Sequence, residues 1–279
     1  MSAPPFTSPV IGEVQCKSAL GESRLPGYDY CLNPYVGCSH ACIYCYARSY
    51  ALRRGRTEAW GSYVDVKPNI ADVLVKEARK GLKRGVVGVS TLTDAYQPIE
   101  SSKRLTQRCL GILLENGFQV AIQTKSDLVV RDIEALMAHG EGVSVGFTVT
   151  TLDRDLARRI EPGAPAPDRR VDALSRMASA GLVTWIFIGP IFPHITDDGI
   201  GEVLDVAKSL KVGDVLFDRL NMRPGVWPSI ASFLKSDYPE LLPKYKEIFF
   251  GDDGFYSALK GRLGDEAVKR GVKFSFCWS

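Results

Sequence analysis

The stretch that decides this fold reads Asn33-Pro34-Tyr35-Val36-Gly37-Cys38-Ser39-His40-Ala41-Cys42-Ile43-Tyr44-Cys45-Tyr46-Ala47-Arg48. Its three cysteines, Cys38, Cys42 and Cys45, fall within eight residues, so they reach one metal centre only if the loop wraps around it. A cubane iron-sulfur cluster normally takes four thiolate ligands. Three thiolates leave one iron open, and the spacing therefore predicts a site-differentiated 4Fe-4S cluster on these residues.

Zinc and disulfide interpretations fit the cysteine pattern less well. Zinc sites usually combine two paired Cys or His motifs into four ligands, and although His40 lies inside the triplet, no second Cys-x2-Cys or His-x3-His follows it. The chain has seven cysteines, an odd number, and opens with Met-Ser-Ala-Pro-Pro rather than a basic and apolar leader. Because disulfides need an oxidising compartment, we expect free thiols and a cytoplasmic location.

The composition is that of a cytoplasmic, single-domain enzyme. The chain has 279 residues, of which 45% are hydrophobic and 24% charged, so it can bury a large core. No run approaches the ~18 uninterrupted apolar residues of a membrane span, so we expect no membrane partner. The net charge of +3, from 35 basic and 32 acidic residues, gives no overall argument for nucleic acid. One dense strip, Arg48, Arg53, Arg54 and Arg56, is consistent with either a solvated helix face or a phosphate-binding surface.

Six apolar, β-branched runs alternate with helical patterns along the chain. They span approximately residues 30–36, 86–90, 119–123, 143–148, 182–188 and 214–217. Continuous apolarity is typical of strands that are covered on both faces. Amphipathic spacing between them, as in Leu105, Cys109 and Ile112, gives helices with one buried face. The pattern predicts parallel strand-helix units, in either an open α/β barrel or a doubly wound sheet.

In a parallel barrel, the loops that follow the strands form the functional face. Lys125 follows the third strand, where its compact ammonium suits either a bound carboxylate or a surface salt bridge. His194 follows the fifth strand and is either a base or a structural residue. Asp218 and Arg219 end the sixth strand, as an internal ion pair or as a substrate clamp.

The cysteine spacing, with Tyr44 just before the third cysteine, resembles the radical S-adenosylmethionine (SAM) superfamily. In that family the open iron chelates the amino and carboxylate groups of SAM, and reductive cleavage yields a 5′-deoxyadenosyl radical. The resemblance implies an external one-electron reductant of the flavodoxin or ferredoxin type. It also implies a partial, open six-stranded (β/α)6 TIM-like barrel over residues 1–225, with a short N-terminal extension, and a helical, aromatic C-terminal extension over residues 226–279.

The run from Glu161 to Arg170, followed by a helix and an apolar strand, looks like the spore photoproduct lyase branch of that superfamily. The resemblance implies that Lys125 binds the SAM carboxylate and that Thr148, with Ser144 as its rival, also contacts SAM. Ser90 and Thr91, at the polar end of the second strand, are further cofactor-binding candidates. The catalytic candidates are three tyrosines: Tyr44, Tyr46 and Tyr96.

One feature departs from the lyase branch. Spore photoproduct lyases carry a hydrogen-donating cysteine at the end of the second strand, where this chain reads Ser90-Thr91-Leu92-Thr93-Asp94. Cys16, Cys31 and Cys277 lie elsewhere, and a free cysteine is more often a small buried hydrophobe. The substrate is therefore unassigned, with nucleic acid among the possibilities. The alternatives are a DNA-repair lyase, an electron-transfer protein with a fourth cysteine ligand, and a nucleic-acid-binding module that uses the metal site only for folding.

Overall fold

The computed structural model describes residues 8–251 and 254–278, and its architecture is a mostly parallel α/β sheet flanked by helices. The calls that fall on residues 1–7, 252–253 and 279, at the ends of the two predicted domains and within the tail, lie outside the described residues. The strands are, in chain order, β1 (Val10–Glu13), β2 (Leu20–Glu22), β3 (Tyr30–Leu32), β4 (Tyr35–Val36), β5 (Tyr63–Val66), β6 (Val86–Val89), β7 (Gln119–Thr124), β8 (Val143–Thr148), β9 (Val183–Ile191), β10 (Asp214–Arg219) and β11 (Phe274–Phe276).

Within residues 8–251 and 254–278, the main sheet has eight strands in the spatial order β11-β10-β9-β8-β7-β6-β3-β2. All neighbours from β3 to β11 run parallel, and only β2 is antiparallel to its neighbour. Each new strand along the chain joins the same edge of the sheet, whereas a doubly wound sheet reverses its order at a switch point. The predicted open barrel is therefore confirmed over the doubly wound alternative.

The first predicted strand, 30–36, was wrong in its extent. The chain leaves the main sheet after Leu32, and Tyr35 and Val36 pair instead with β5 in a small sheet of order β1-β5-β4. Pro34 lies at the break, and its ring removes the backbone N–H that a continuous ladder would need. This change of sheet turns the chain towards the cysteine loop that follows.

Several helices pack against the main sheet. The helices of the described chain are α1 (Ala47–Arg53), α2 (Ile70–Arg79), α3 (Glu100–Lys103), α4 (Leu105–Glu115), α5 (Ile133–Met137), α6 (Arg154–Ile160), α7 (Pro167–Ser179), α8 (Ile200–Ser209), α9 (Trp227–Asp237), α10 (Leu242–Phe250) and α11 (Phe255–Arg270), with 3-10 turns at Asp127–Asp132, Gly140–Gly142 and Pro239–Leu241. Those that pack against the sheet include α4, α7, α8 and α11. Local chemistry sets the starts of some helices. Asp153 caps α6 by accepting from the N–H of Asp155 at 2.8 Å, and α7 begins at Pro167, whose missing N–H costs nothing there. None of the helices in the described part of the chain has the length and apolarity needed to cross a bilayer.

The C-terminal extension is helical and aromatic, as the sequence indicated, but it also adds a strand. Phe217 on β10 stacks on Phe276 of β11 with ring centroids 5.2 Å apart, and it meets Phe274 edge-on at 6.1 Å. Burying these rings between strand and helix favours the pairing of β11 with β10. The row of parallel strands therefore extends beyond the predicted six. The domain boundary between residues 225 and 226 stays a prediction.

Close packing inside the barrel depends on small residues facing large ones. Strand side chains alternate between the two faces, and Gly146 on β8 lies directly under the ring of Trp185 on β9, so that a Cβ at position 146 would overlap the indole. Gly111, in the middle of α4, has nothing within 4 Å of the place where its Cβ would lie. The same substitution should thus have opposite effects at the two sites.

We predict that Gly146→Ala lowers the free energy of unfolding by about 1–3 kcal/mol, because the added methyl overpacks the barrel. Gly111→Ala should raise it by about 0.5–1 kcal/mol, because alanine favours a helix interior over glycine. Urea denaturation of parent and variants measures both values. A Gly146→Ala protein as stable as the parent would contradict the described packing of Trp185.

Candidate metal centre and cofactor site

The cysteine loop lies between β4 and α1 and is braced from two sides. From the segment after β6, Thr93 donates its hydroxyl to the Gly37 carbonyl at 2.6 Å, and Gln97 accepts from the Ser39 N–H at 2.9 Å. From the segment after α6, the Gly163 N–H donates to the His40 carbonyl at 3.0 Å. Buried polar groups that are hydrogen-bonded in this way hold a loop in one conformation.

The three thiols of the loop are free and shielded from solvent. Cys38 and Cys42 are each 6% exposed, and Cys45 is half-buried. Burial raises the pKa of Cys42 to about 12, although Lys125 opposes this, and burial together with Asp94 and the other two thiols raises the pKa of Cys38. In residues 8–251 and 254–278, no group of three or more His, Cys, Asp or Glu side chains lies close enough together to bind a metal ion as it stands. The thiols nevertheless interact electrostatically with one another.

Two polar groups of the same loop fit a bound cluster. The Nε2 of His40 and the hydroxyl of Ser39 are buried, and neither has a hydrogen-bond partner among the described residues. The other ring nitrogen of His40, Nδ1, lies 3.4 Å from an Asp94 carboxylate oxygen. Cluster sulfur atoms accept hydrogen bonds, and a metal deprotonates the thiols that coordinate it. The donor set and the unpartnered polar groups therefore suit a 4Fe-4S cluster on Cys38, Cys42 and Cys45.

Lys125 brings a positive charge to the loop. Its Nζ lies 5.6 Å from the centre of the Tyr44 ring, and it forms no ion pair with any residue that the structure describes. Burial opposes its charge, but the neighbouring Cys42 and Glu161 outweigh burial and raise the pKa of Lys125. The surface salt bridge considered for this lysine is not formed. Its ammonium is available to a carboxylate, the role that the resemblance implies.

A buried ion pair links the far side of the loop to the sheet. Glu161 and Arg170 are each 1% exposed and pair through Oε2 and Nη2, while the carboxylate also accepts from the hydroxyls of Tyr44 and, at 3.1 Å, Thr150. Arg170 donates to the Thr148 carbonyl at 3.1 Å. Burial opposes the ionisation of Glu161, but Arg170 and Lys125 keep its pKa below the usual range. The sequence shows the run from Glu161 to Arg170 but not the pairing of Glu161 with Tyr44, which lies 117 residues away.

The three catalytic tyrosine candidates lie in different environments. Tyr44 is buried, and its hydroxyl donates to the Glu161 carboxylate. Tyr46 is 38% exposed and donates to the Thr91 carbonyl. Tyr96 is fully buried and donates to Asp132 at 3.1 Å. The Tyr96 hydroxyl belongs to an interior hydrogen-bond network rather than to the cysteine loop, and its catalytic role stays a prediction. The sequence does not show whether the side chain of a tyrosine that follows a strand points into the barrel opening or into the protein interior.

The remaining cofactor-binding candidates differ in how close they lie to the carboxyl ends of the strands. Thr148 ends β8 on the functional rim and accepts from the Gln123 amide at 3.2 Å. Ser144 is four residues earlier, which places it roughly 13 Å away towards the opposite end of the barrel. The structure therefore does not bring Ser144 to the site. The Ser90 hydroxyl accepts from the Ala95 N–H at 2.7 Å and that of Thr91 accepts from Asn33 at 2.8 Å, so both shape the rim.

Asp218 marks the other side of the barrel opening. The internal ion pair with Arg219 is absent from the described residues, and Asp218 accepts only from the Arg219 backbone N–H, at 2.9 Å. Burial raises its pKa to about 6. Cys277, at the end of β11, is exposed and close enough to interact electrostatically with Asp218. His194 packs its ring against Phe255 at 5.0 Å, in line with the structural interpretation.

Comparison with known proteins places this chain in a family. The family described as the Radical SAM superfamily matches residues 32–207. An uncharacterised protein of Methanocaldococcus jannaschii is 32% identical over 230 residues, which cover 82% of this chain and 84% of that protein.

Solved structures of spore photoproduct lyase share the fold. The complex of that enzyme with dinucleoside spore photoproduct has a TM-score of 0.70 at 18% identity, covering 96% of this chain and 82% of the lyase chain. A lyase mutant with bound AdoMet and dinucleoside spore photoproduct has a TM-score of 0.69 at 16% identity, over 96% of this chain and 81% of the lyase chain. At such identities the likeness concerns the fold.

We predict that Glu161→Gln costs about 3–5 kcal/mol of stability, because it leaves the Arg170 charge buried without its partner. Asp168→Asn is the matched control, since it breaks the exposed pair of Asp168 with Arg154 and should cost no more than about 1 kcal/mol. Guanidinium unfolding of the cluster-free protein measures both. Equal losses in the two variants would contradict the buried network.

Proposed function

The chain belongs to the radical SAM superfamily, and from this membership we propose that it reductively cleaves SAM at a 4Fe-4S cluster held by Cys38, Cys42 and Cys45. One observation carries the proposal: three free thiols, of which Cys38 and Cys42 are buried and Cys45 is half-buried, lie on one braced loop beside the ammonium of Lys125. The family itself implies a 4Fe-4S cluster and SAM. The structural neighbour with bound AdoMet supports the same assignment.

The bound cluster would supply an electron and an open iron, and so convert SAM to methionine and a 5′-deoxyadenosyl radical. The protein supplies the geometry. Lys125 would pair with the carboxylate of the cofactor, and Thr148 would offer a neutral hydroxyl at the same rim. Tyr44 and Glu161 hold the loop against the sheet, where Cys38 and Cys42 are buried.

The substrate remains unassigned in this proposal. Spore photoproduct lyase, the structural neighbour, is solved with dinucleoside spore photoproduct, and a DNA-repair lyase of that type is the alternative function. The end of the second parallel strand, β6, lacks the cysteine expected of such a lyase. Fold likeness alone does not fix the reaction, so we assign the radical chemistry and leave the substrate open. The external reductant, of flavodoxin or ferredoxin type, and the cytoplasmic location are also predictions.

We predict that anaerobic reconstitution loads about four irons and four sulfides per chain. Replacing Cys38, Cys42 or Cys45 by Ala should abolish loading in each case. Cys277→Ala is the control and should load normally, because Cys277 is exposed at the end of β11. Iron, acid-labile sulfide and visible absorption are measured together. Stoichiometric zinc without sulfide would sink the proposal, and loss of the cluster in Cys277→Ala would favour a four-cysteine electron-transfer site.

We predict that Lys125→Ala weakens SAM binding by about tenfold or more at unchanged iron content, because a charge-assisted contact contributes about 1.5–3 kcal/mol. Lys83→Ala, in the exposed segment before β6, should bind SAM like the parent. In a second matched pair, Thr148→Ala should lose less SAM affinity than Lys125→Ala, and Ser144→Ala should lose none. Equilibrium dialysis against the reconstituted proteins gives the affinities. Parent-like affinity in Lys125→Ala would remove this lysine from the site.

A further inference from the structure

We propose that the exposed side of α1, with the loop that packs on it, is the docking surface for an acidic one-electron donor protein. The proposal rests on the proposed function, since only a cluster-bearing chain needs such a donor. We call this surface the α1 patch and define it by Tyr50, Leu52, Arg53, Arg54 and Arg223. One electron leaves the reduced flavin of the donor and enters the cluster, so the donor is oxidised and the cluster reduced by one electron each, with no proton transferred.

The α1 patch combines exposed apolar area with positive charge. Tyr50 is 45% exposed and Leu52 is 48% exposed. The segment 46–57 contains four arginines and no aspartate or glutamate. An exposed apolar centre with a charged border is typical of a protein interaction surface.

The structure divides the arginine strip into bound and unpaired members. Arg48 donates to the carbonyls of Gly225 at 3.3 Å and Cys42 at 3.4 Å, and Arg56 pairs with Glu58 and Asp65. These two arginines are structural. Arg53 and Arg54, by contrast, form no ion pair with any described residue, and Arg53 lies 5.6 Å from the Tyr50 ring centre.

The loop after β10 extends the charge of the patch. A Cβ at Gly225 would overlap the Leu52 side chain, so this loop lies against α1. Arg223 is two residues earlier, is exposed, and also lacks an ion pair within the described residues. Arg223 therefore brings unneutralised charge to the loop that packs against Leu52. A positive patch of this kind attracts an acidic partner and speeds its association.

The closeness of α1 to the cysteine loop favours an electron donor as the partner. The helix begins two residues after Cys45, and the Arg48 N–H donates to the Cys45 carbonyl at 3.3 Å. Arg53 is eight residues beyond Cys45, which corresponds to roughly 12 Å along a helix. Cys45 is also the least buried of the three cluster cysteines. A protein docked on the α1 patch would thus stand close to the side of the cluster that is nearest to solvent.

The composition of the patch favours a protein over a nucleic acid. Nucleic acids bind through many phosphate contacts, which need a long run of free cations. The patch offers three arginines that form no ion pair within the described residues, together with the exposed side chains of Tyr50 and Leu52. Tyrosine and arginine are enriched in protein interfaces, where apolar contact adds to charge.

The test compares Arg53→Glu/Arg54→Glu with a matched control, Arg79→Glu/Lys80→Glu. The control makes the same charge change at the exposed C-terminal end of α2, near the start of β6 and so away from the rim. Stopped-flow absorbance follows reduction of the reconstituted cluster by photoreduced flavodoxin and, separately, by dithionite. We expect flavodoxin to reduce the α1 variant at least tenfold more slowly than the parent. Added salt should slow the reduction of the parent but not that of the α1 variant. Reduction by dithionite should match in all three proteins.

A second measurement does not need the cluster. Cluster-free parent should bind oxidised flavodoxin more tightly than the cluster-free α1 variant, and the control should match the parent. Equal flavodoxin rates and affinities in all three proteins would overturn the docking surface. A selective loss of affinity for a single-stranded oligonucleotide, with flavodoxin rates unchanged, would overturn it in favour of nucleic acid. Failure of the reconstituted parent to cleave SAM with dithionite would instead count against the proposed function.

Discussion

The buried ion pair of Glu161 and Arg170 is the contact on which the site depends. An unpaired charge is costly to bury, so Glu161 and Arg170 stabilise each other. The pair also holds the residues to which it is hydrogen-bonded in place. Glu161 holds Tyr44 and with it the cysteine loop, while Arg170 holds the carbonyl of Thr148 at the end of β8. The loop and the rim of the barrel are thereby joined through one pair of residues that carries no chemistry of its own.

The electrostatics of the loop follow from the same burial. Without a metal, burial disfavours thiolates at Cys38 and Cys42, yet Lys125 and Arg170 both stabilise negative charge at Cys42. Asp94 is also buried, but it stays ionised. Contacts with His40, the Lys125 backbone N–H and Thr124 outweigh burial and hold the pKa of Asp94 well below the usual range. Metal binding would add positive charge to a region whose ligands are otherwise costly to ionise. A bound metal would therefore favour the ionised form of thiols that burial alone keeps neutral.

The open barrel gives this centre two approaches. The ends of the parallel strands lead into an opening bordered by Lys125, Asp218 and Tyr46, where a substrate would meet the cofactor. The outer side of the cysteine loop continues into α1, which carries the α1 patch. Substrate and electrons would then reach the same centre from different directions. The edge strand β11 borders the opening and places Cys277 there, beside an Asp218 that has no cationic side-chain partner within the described residues.

The sequence by itself determined the features that depend on neighbouring residues. The cysteine spacing predicted the kind of centre, and apolar periodicity predicted the parallel α/β core, because both are written within short stretches. Tertiary structure decided the rest. Only folding could pair Tyr44 with Glu161, 117 residues away, send Tyr96 into the interior and leave Ser144 at the wrong end of its strand. It also split the first predicted strand and added β11, since strand pairing and side-chain direction arise from contacts between distant segments, which no local pattern records.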